Sequence, residues 1–169
     1  MFSQLYEQLK GEDIFKPKSE EEVAQDILIQ AKATKNDDGS YDTEGDVDLS
    51  RLNLIKIPVK FRYVGGYFDC GYNKLTSLEG APQKVGEGFS CGYNKLTSLE
   101  GAPEYVGGWF ICNLNYLTSL KGAPQKVGGN FLCSSNKLIS LEGIGEVKGM
   151  IFCGGNPVSR KELLATIGR

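Results

Sequence analysis

The sequence predicts an α/β solenoid with one parallel strand per repeat, about six strands in all, an extended (non-helical) convex side and helical segments at both ends. Three observations predict it. Cys70, Cys91, Cys112 and Cys133 stand 21 residues apart, and Cys153 follows after 20. The string from Phe89 to Pro103 returns around each of them, opening at Phe68, Phe110, Phe131 and Ile151. A degenerate copy with Val47, Leu49, Leu54 and Ile57 stands in phase ahead of the first. Repeats of this length cannot bury an apolar face alone, so they stack on their neighbours.

Residues 1–45 are expected to form a helical N-terminal cap. Ser19 and Glu22 have capping-box spacing, opening a helix to about Thr34 with Val23, Ile27 and Leu28 on its apolar side. Phe2, Leu5, Tyr6 and Leu9 make an amphipathic set upstream, and Asn36–Ser40 reads as a loop. Residues 46–158 form the solenoid. In each coil a strand such as Tyr67–Cys70 alternates, which sends Phe68 and Cys70 inward and Tyr67 and Asp69 to the outer, concave side. Leu75, Leu78 and a column from Val64 to Val147 complete the filling. Asn73, Asn94, Asn115, Asn136 and Asn156 fall where the chain leaves the strand, where an amide can satisfy turn backbone groups. Gly-Gly at 65–66, 107–108 and 128–129 is expected to supply positive φ, and Pro82, Pro103 and Pro124 favour an extended chain over a helix. One residue is missing between Leu141 and Val147. Residues 159–169 then close the array: Ser159 and Glu162 have capping-box spacing, with Leu163, Leu164 and Ile167 on one helical face.

Composition narrows the function classes. Among 169 residues, 40% are hydrophobic and 24% charged, with a net charge of −2, which is not the basic balance of a nucleic-acid binder. No run approaches the roughly 18 apolar residues that span a bilayer. Met1–Leu5 lacks a basic stretch followed by an apolar one, which predicts no secretory leader and a cytoplasmic location. The five cysteines share an inward column with Leu49, and the chain has no histidine and no Cys-x-x-Cys pair. Packing as small hydrophobes is the expectation, ahead of a metal or redox ladder. No cofactor, metal site or catalytic constellation is expected.

The pattern apolar-x-Cys-x-x-Asn-x-Leu-x-x-Leu, with Leu-Thr-Ser-Leu at 75–78, 96–99 and 117–120, resembles the leucine-rich-repeat family, especially the short repeats of bacterial effector proteins. The likeness runs from residue 47 to about 158. Leu52 replaces the asparagine in the first copy, and the ligase domain of those effectors has no counterpart here. The Glu-Gly-Ala-Pro and Val-Gly-Gly-x-Phe wording is also similar to that of uncharacterised repeat proteins of large bacteriophages. That resemblance implies a phage-encoded modulator, or an inhibitor of a host defence protein, working in the host cytoplasm.

Residues that the repeat does not dictate carry the functional signal. One outer column reads Asp46, Tyr67, Gly88, Trp109, Asn130, Met150, and the next Asp48, Asp69, Ser90, Ile111, Leu132, Phe152. A third, near the turn, reads Arg51, Tyr72, Tyr93, Leu114, Ser135, Gly155. The face is acidic with tyrosines at one end and apolar at the other. Large aromatics at solvent-facing positions mark binding hot spots. The expected site is therefore a protein-binding concave face of Tyr67, Asp69, Tyr72, Tyr93, Trp109, Ile111, Leu114, Leu132, Met150 and Phe152. Alternatives are self-association through the same strip, or a cover made by Phe2, Leu5, Tyr6, Ile14 and Phe15. A cation held by Asp46, Asp48 and Asp69, an enzyme, or nucleic acid along Lys74, Lys95 and Lys137 rank below these.

Overall fold

The computed structural model describes residues 18–159 and 161–162. They form a β-solenoid of about 5 turns with parallel strands and one helix. The helix, α1, spans Glu20–Gln30. Thirteen short strands follow: β1 (Thr34–Lys35), β2 (Tyr41–Thr43), β3 (Val47–Asp48), β4 (Phe61–Val64), β5 (Phe68–Asp69), β6 (Lys84–Val85), β7 (Phe89–Ser90), β8 (Tyr105–Val106), β9 (Phe110–Ile111), β10 (Lys126–Val127), β11 (Phe131–Leu132), β12 (Glu146–Val147) and β13 (Ile151–Phe152). They build two sheets, β1-β2-β4-β6-β8-β10-β12 and β3-β5-β7-β9-β11-β13. Only the β1–β2 pairing is antiparallel.

Each coil thus carries two strands where one was expected. The valine column forms its own sheet, with Val64, Val85, Val106 and Val127 in register and buried. The glycines between the two strands turn the chain, but their φ is not positive; within the repeat that conformation is found at Gly80, Gly101 and Gly122 of the Gly-Ala-Pro corner and at Gly143 of its last variant. What the strand-linking glycines provide is close approach. A Cβ on Gly107 would lie 1.8 Å from the Gly86 carbonyl oxygen, and one on Gly128 would lie 2.0 Å from that of Gly107.

The core follows the alternation read from the sequence. Phe68, Phe89, Phe110 and Phe131 are fully buried and stack ring on ring at 5.5, 5.3 and 5.1 Å. Burying each such side chain contributes about 1.5–3 kcal/mol. Beside them the asparagines form a ladder. The Asn94 amide donates to the carbonyls of Cys70 (3.0 Å), Cys91 (3.1 Å) and Gly92 (3.3 Å), and its oxygen accepts from the N–H of Leu75 (2.9 Å). Each amide thereby bonds its own turn to the preceding coil.

At the N-terminal end Ser19 and Glu22 form the reciprocal capping box. The helix stops at Gln30, short of the expected Thr34, because Ala31 caps it and Lys32 turns left-handed at φ 50°. Ile27 and Ala31 enter the core, so α1 covers the first coil. The solenoid begins before residue 46: β2 already pairs in parallel with β4, and the Asn36–Ser40 loop joins it to β1. The segment 34–43 is therefore a strand hairpin and not helical cap. At the other end the Glu162 N–H donates to Ser159 Oγ (3.2 Å), and the Ser140 hydroxyl donates to the Glu162 carboxylate (3.0 Å). Leu163, Leu164 and Ile167, like the upstream set from Phe2 to Phe15, lie outside the described residues.

The missing residue of the last repeat is absorbed at one corner. Lys126 pairs with Glu146 and Val127 with Val147, only 20 positions on, and the strands beyond stay in register at Phe131–Ile151. The Gly143-Ile144-Gly145 corner takes up the difference, with Gly143 at φ 92°. Among the described residues no helix is long and apolar enough to cross a membrane.

Candidate functional site

The candidate face is the outer side of the β3–β13 sheet. Parallel in-register pairing puts Asp48, Asp69, Ser90, Ile111, Leu132 and Phe152 in one column, with neighbours about 4.8 Å apart. Phe152 is 44% exposed, while Asp69, Ser90, Ile111 and Leu132 are partly covered by the side chains beside them.

Two aromatic pairs flank this column. Trp109 lies back across the strand before it and stacks on Tyr67, with centroids 5.3 Å apart and planes at 25°. Gly88 makes this possible. A Cβ there would fall 2.6 Å from the indole Cε2, so only a residue without one leaves the ring its seat. Trp109 is therefore half-buried against its own face rather than projecting into solvent. The Glu87 carboxylate close to the Tyr67 hydroxyl, through its hydrogen-bonding pull and its negative charge, raises the phenol pKa. On the other flank Tyr72 and Tyr93 stack at 4.2 Å and 13°, and the Arg51 guanidinium sits 4.1 Å over Tyr72.

That flank is more constrained than the sequence suggested. Arg51, Tyr72, Tyr93, Leu114 and Ser135 all have φ between 54° and 60°, and Gly155 completes the column at 74°. The backbone therefore does restrict the choice of residue here. For a residue with a Cβ the left-handed conformation costs about 1–2 kcal/mol. Ser135→Gly should raise stability by about 0.5–1 kcal/mol in urea unfolding, since glycine removes the steric term and returns part of it as chain entropy. A loss of stability would mean that the Ser135 side chain contributes more than its backbone costs.

The sequence-predicted residues thus assemble into one surface in three parts. Tyr67 with Trp109 and Tyr72 with Tyr93 border its middle. Ile111, Leu132 and Phe152 continue towards the C-terminal coil, where Met150 is 67% exposed. Leu114 follows Tyr93 in the left-handed column, which then ends in Ser135 and Gly155. Gly88 and Glu87 are positions of this face that the sequence-based site left out; the signal for Gly88 was the gap it leaves between Tyr67 and Trp109.

The acidic end is bound into the backbone. Asp46 Oδ1 accepts from the N–H of Tyr67, Asp48 Oδ1 from Ser50 and Asp69 Oδ1 from Gly71, each at 2.8 Å. Among the described residues no three His, Cys, Asp or Glu side chains come together in a way that could hold a metal ion. The cysteines are all free thiols. Burial pushes those of Cys70, Cys91 and Cys112 well above the usual range, and that of Cys133 up to about 12. Cys70 and Cys91 donate to the carbonyls of Ser90 (3.2 Å) and Ile111 (3.4 Å). Thiols held protonated in this way pack and do not attack. The Lys74, Lys95, Lys137 column is exposed on another side of the coil, with Tyr116 interrupting it and Lys137 Nζ 5.0 Å above that ring. Compared with family models, curated proteins and solved structures, the chain matches none of them.

Proposed function

We propose that the chain is a protein-binding module acting through the outer face of the β3–β13 sheet, and that it carries out no chemistry of its own. The observation that supports this most directly is the Tyr67–Trp109 stack over Gly88. A ring fixed in place before contact loses little freedom on binding, and aromatics so presented are typical anchors of protein interfaces. Its neighbours Ile111, Leu132 and Phe152 extend the apolar area beyond what an isolated surface residue offers.

The finer reading follows the resemblance of the repeat. On it the coil is of leucine-rich-repeat type, and the protein is a phage-encoded modulator or inhibitor of a host defence protein, working in the host cytoplasm without cofactor or metal. A second reading is self-association through the same strip, favoured by the exposed Phe152 in the last strand of the sheet and Met150 just before it.

Pull-down from bacterial lysate with the wild type, Trp109→Ala, Phe152→Ala and Gly88→Ala tests both. The expected result is one captured protein, lost with Trp109→Ala and Phe152→Ala and weakened with Gly88→Ala, whose methyl unseats the indole. All variants must keep the wild-type circular dichroism. Capture unchanged in all three would remove the face as the site. Sedimentation of the wild type as a dimer that Phe152→Ala converts to a monomer would establish self-association instead.

A further inference from the structure

The candidate face changes character along its length. Asp48 and Asp69 are register partners on neighbouring strands, and Asp46 lies beside them. Like charges set opposite one another in a sheet are destabilising. The turn does not demand them: Ile111, Leu132 and Phe152 occupy the same position in later coils, in the same in-register ladder. Asn130 shows that an uncharged side chain can do the work of Asp46, since its Oδ1 accepts from the Met150 N–H at 2.8 Å just as Asp46 accepts from Tyr67.

Some carboxylates elsewhere have cations, while others, such as Glu79 and Glu104, have none among the described residues. Asp42 pairs with Arg62, Glu20 with Lys56, Glu100 with Lys121 and Glu146 with Lys126. Among the described residues Asp46, Asp48 and Asp69 have no such partner. Arg51, at the edge of the face, is drawn over the Tyr72 ring. Three or more coils further along the same column there is no charge at all, only Ile111, Leu132 and Phe152.

We propose that the partner is a protein segment that lies along the solenoid axis, with a lysine or arginine over Asp48 and Asp69 and apolar side chains over Ile111, Leu132 and Phe152. This rests on the reading of the face as a protein-binding surface. The spacing follows from the coil. From midway between Asp48 and Asp69 to Leu132 is three and a half coils, or about 17 Å, at about 4.8 Å per coil. An extended chain covers that in about five residues. A second copy of this chain fits poorly: two strips placed face to face about a twofold axis bury apolar residues and bring no cation to the carboxylates. A nucleic acid would meet the carboxylates with its own negative charge.

The test is selection of a displayed library of random twelve-residue peptides on the intact chain, followed by titration of the enriched peptides. The expected peptides carry Lys or Arg four to six residues from a pair of Leu, Ile, Phe or Trp. Their affinity should fall about tenfold with Asp48→Asn plus Asp69→Asn, which keeps the turn acceptors, and should weaken further with salt. Loss with Trp109→Ala but none with the asparagine pair would overturn the cation assignment and leave the binding face standing. Indifference to both sets, enrichment of acidic peptides, or no enrichment over bare support would defeat the proposal. If Phe152→Ala dissolves a dimer and restores no peptide binding, the occupant is a second copy.

Discussion

Gly107→Ala should cost about 4 kcal/mol or more in urea unfolding, or prevent folding altogether, although it adds a single methyl group. The methyl would sit 1.8 Å from the Gly86 carbonyl oxygen, and that oxygen belongs to the backbone of the adjacent coil. No rotamer change relieves such a contact, and a shift of one coil is passed to its neighbour through the same ladder at Gly128. Gly154→Ala is the control. It stands in the last coil of the described solenoid with nothing within 4 Å of the added carbon, and its φ is not positive. A change within about 0.5 kcal/mol is expected there. Equal effects at the two positions would show that helix-like propensity or chain entropy, and not the close approach of coils, decides the use of glycine.

Asn115→Ala should be nearly as severe, at about 3–5 kcal/mol, because it leaves several buried backbone groups unpaired at about 1–3 kcal/mol each. The amide donates to the carbonyls of Cys91 (3.0 Å), Cys112 (3.2 Å) and Asn113 (3.3 Å), and its oxygen accepts from the Leu96 N–H (2.9 Å). Asn156 repeats the arrangement in the last coil, donating to Cys133 and Cys153 at 2.9 Å. It is only partly buried, so water can replace what is lost. Asn156→Ala should therefore cost about 1–2 kcal/mol. Comparable losses for the two would mean that the ladder acts through local turn geometry instead of burial.

Much of the solenoid was legible because its side chains answer to a strict period. Phe, Cys, Asn and Leu at fixed offsets locate the core, the turn and the phase of every coil. Two things were not. Strands of two residues, such as Lys84–Val85, are too short to register as alternation, so the valine column read as filling when it is a sheet of its own. The role of Gly107 was also hidden, since the sequence records that a side chain is missing but not what stands in its place. On the candidate face the composition of each column was readable, including the change from Asp69 to Ile111. The stacking of Trp109 on Tyr67, two repeats apart, required knowing that Gly88 leaves room between them. Likewise, Tyr72 and Tyr93 gave no sign of a left-handed backbone, because tyrosine is an uncommon choice for it.

The shortened corner at Gly143-Ile144-Gly145 sets where this architecture tolerates variation in length. Both sheets keep their pairing across it, and the lost residue leaves no trace on either flank. Chain added or removed between Leu141 and Glu146, or at the matching corner of any other coil, is therefore decoupled from the outer columns of the β3–β13 sheet. The same chain can be tagged, cross-linked or extended at these corners while the order Asp69, Ser90, Ile111, Leu132 is left untouched.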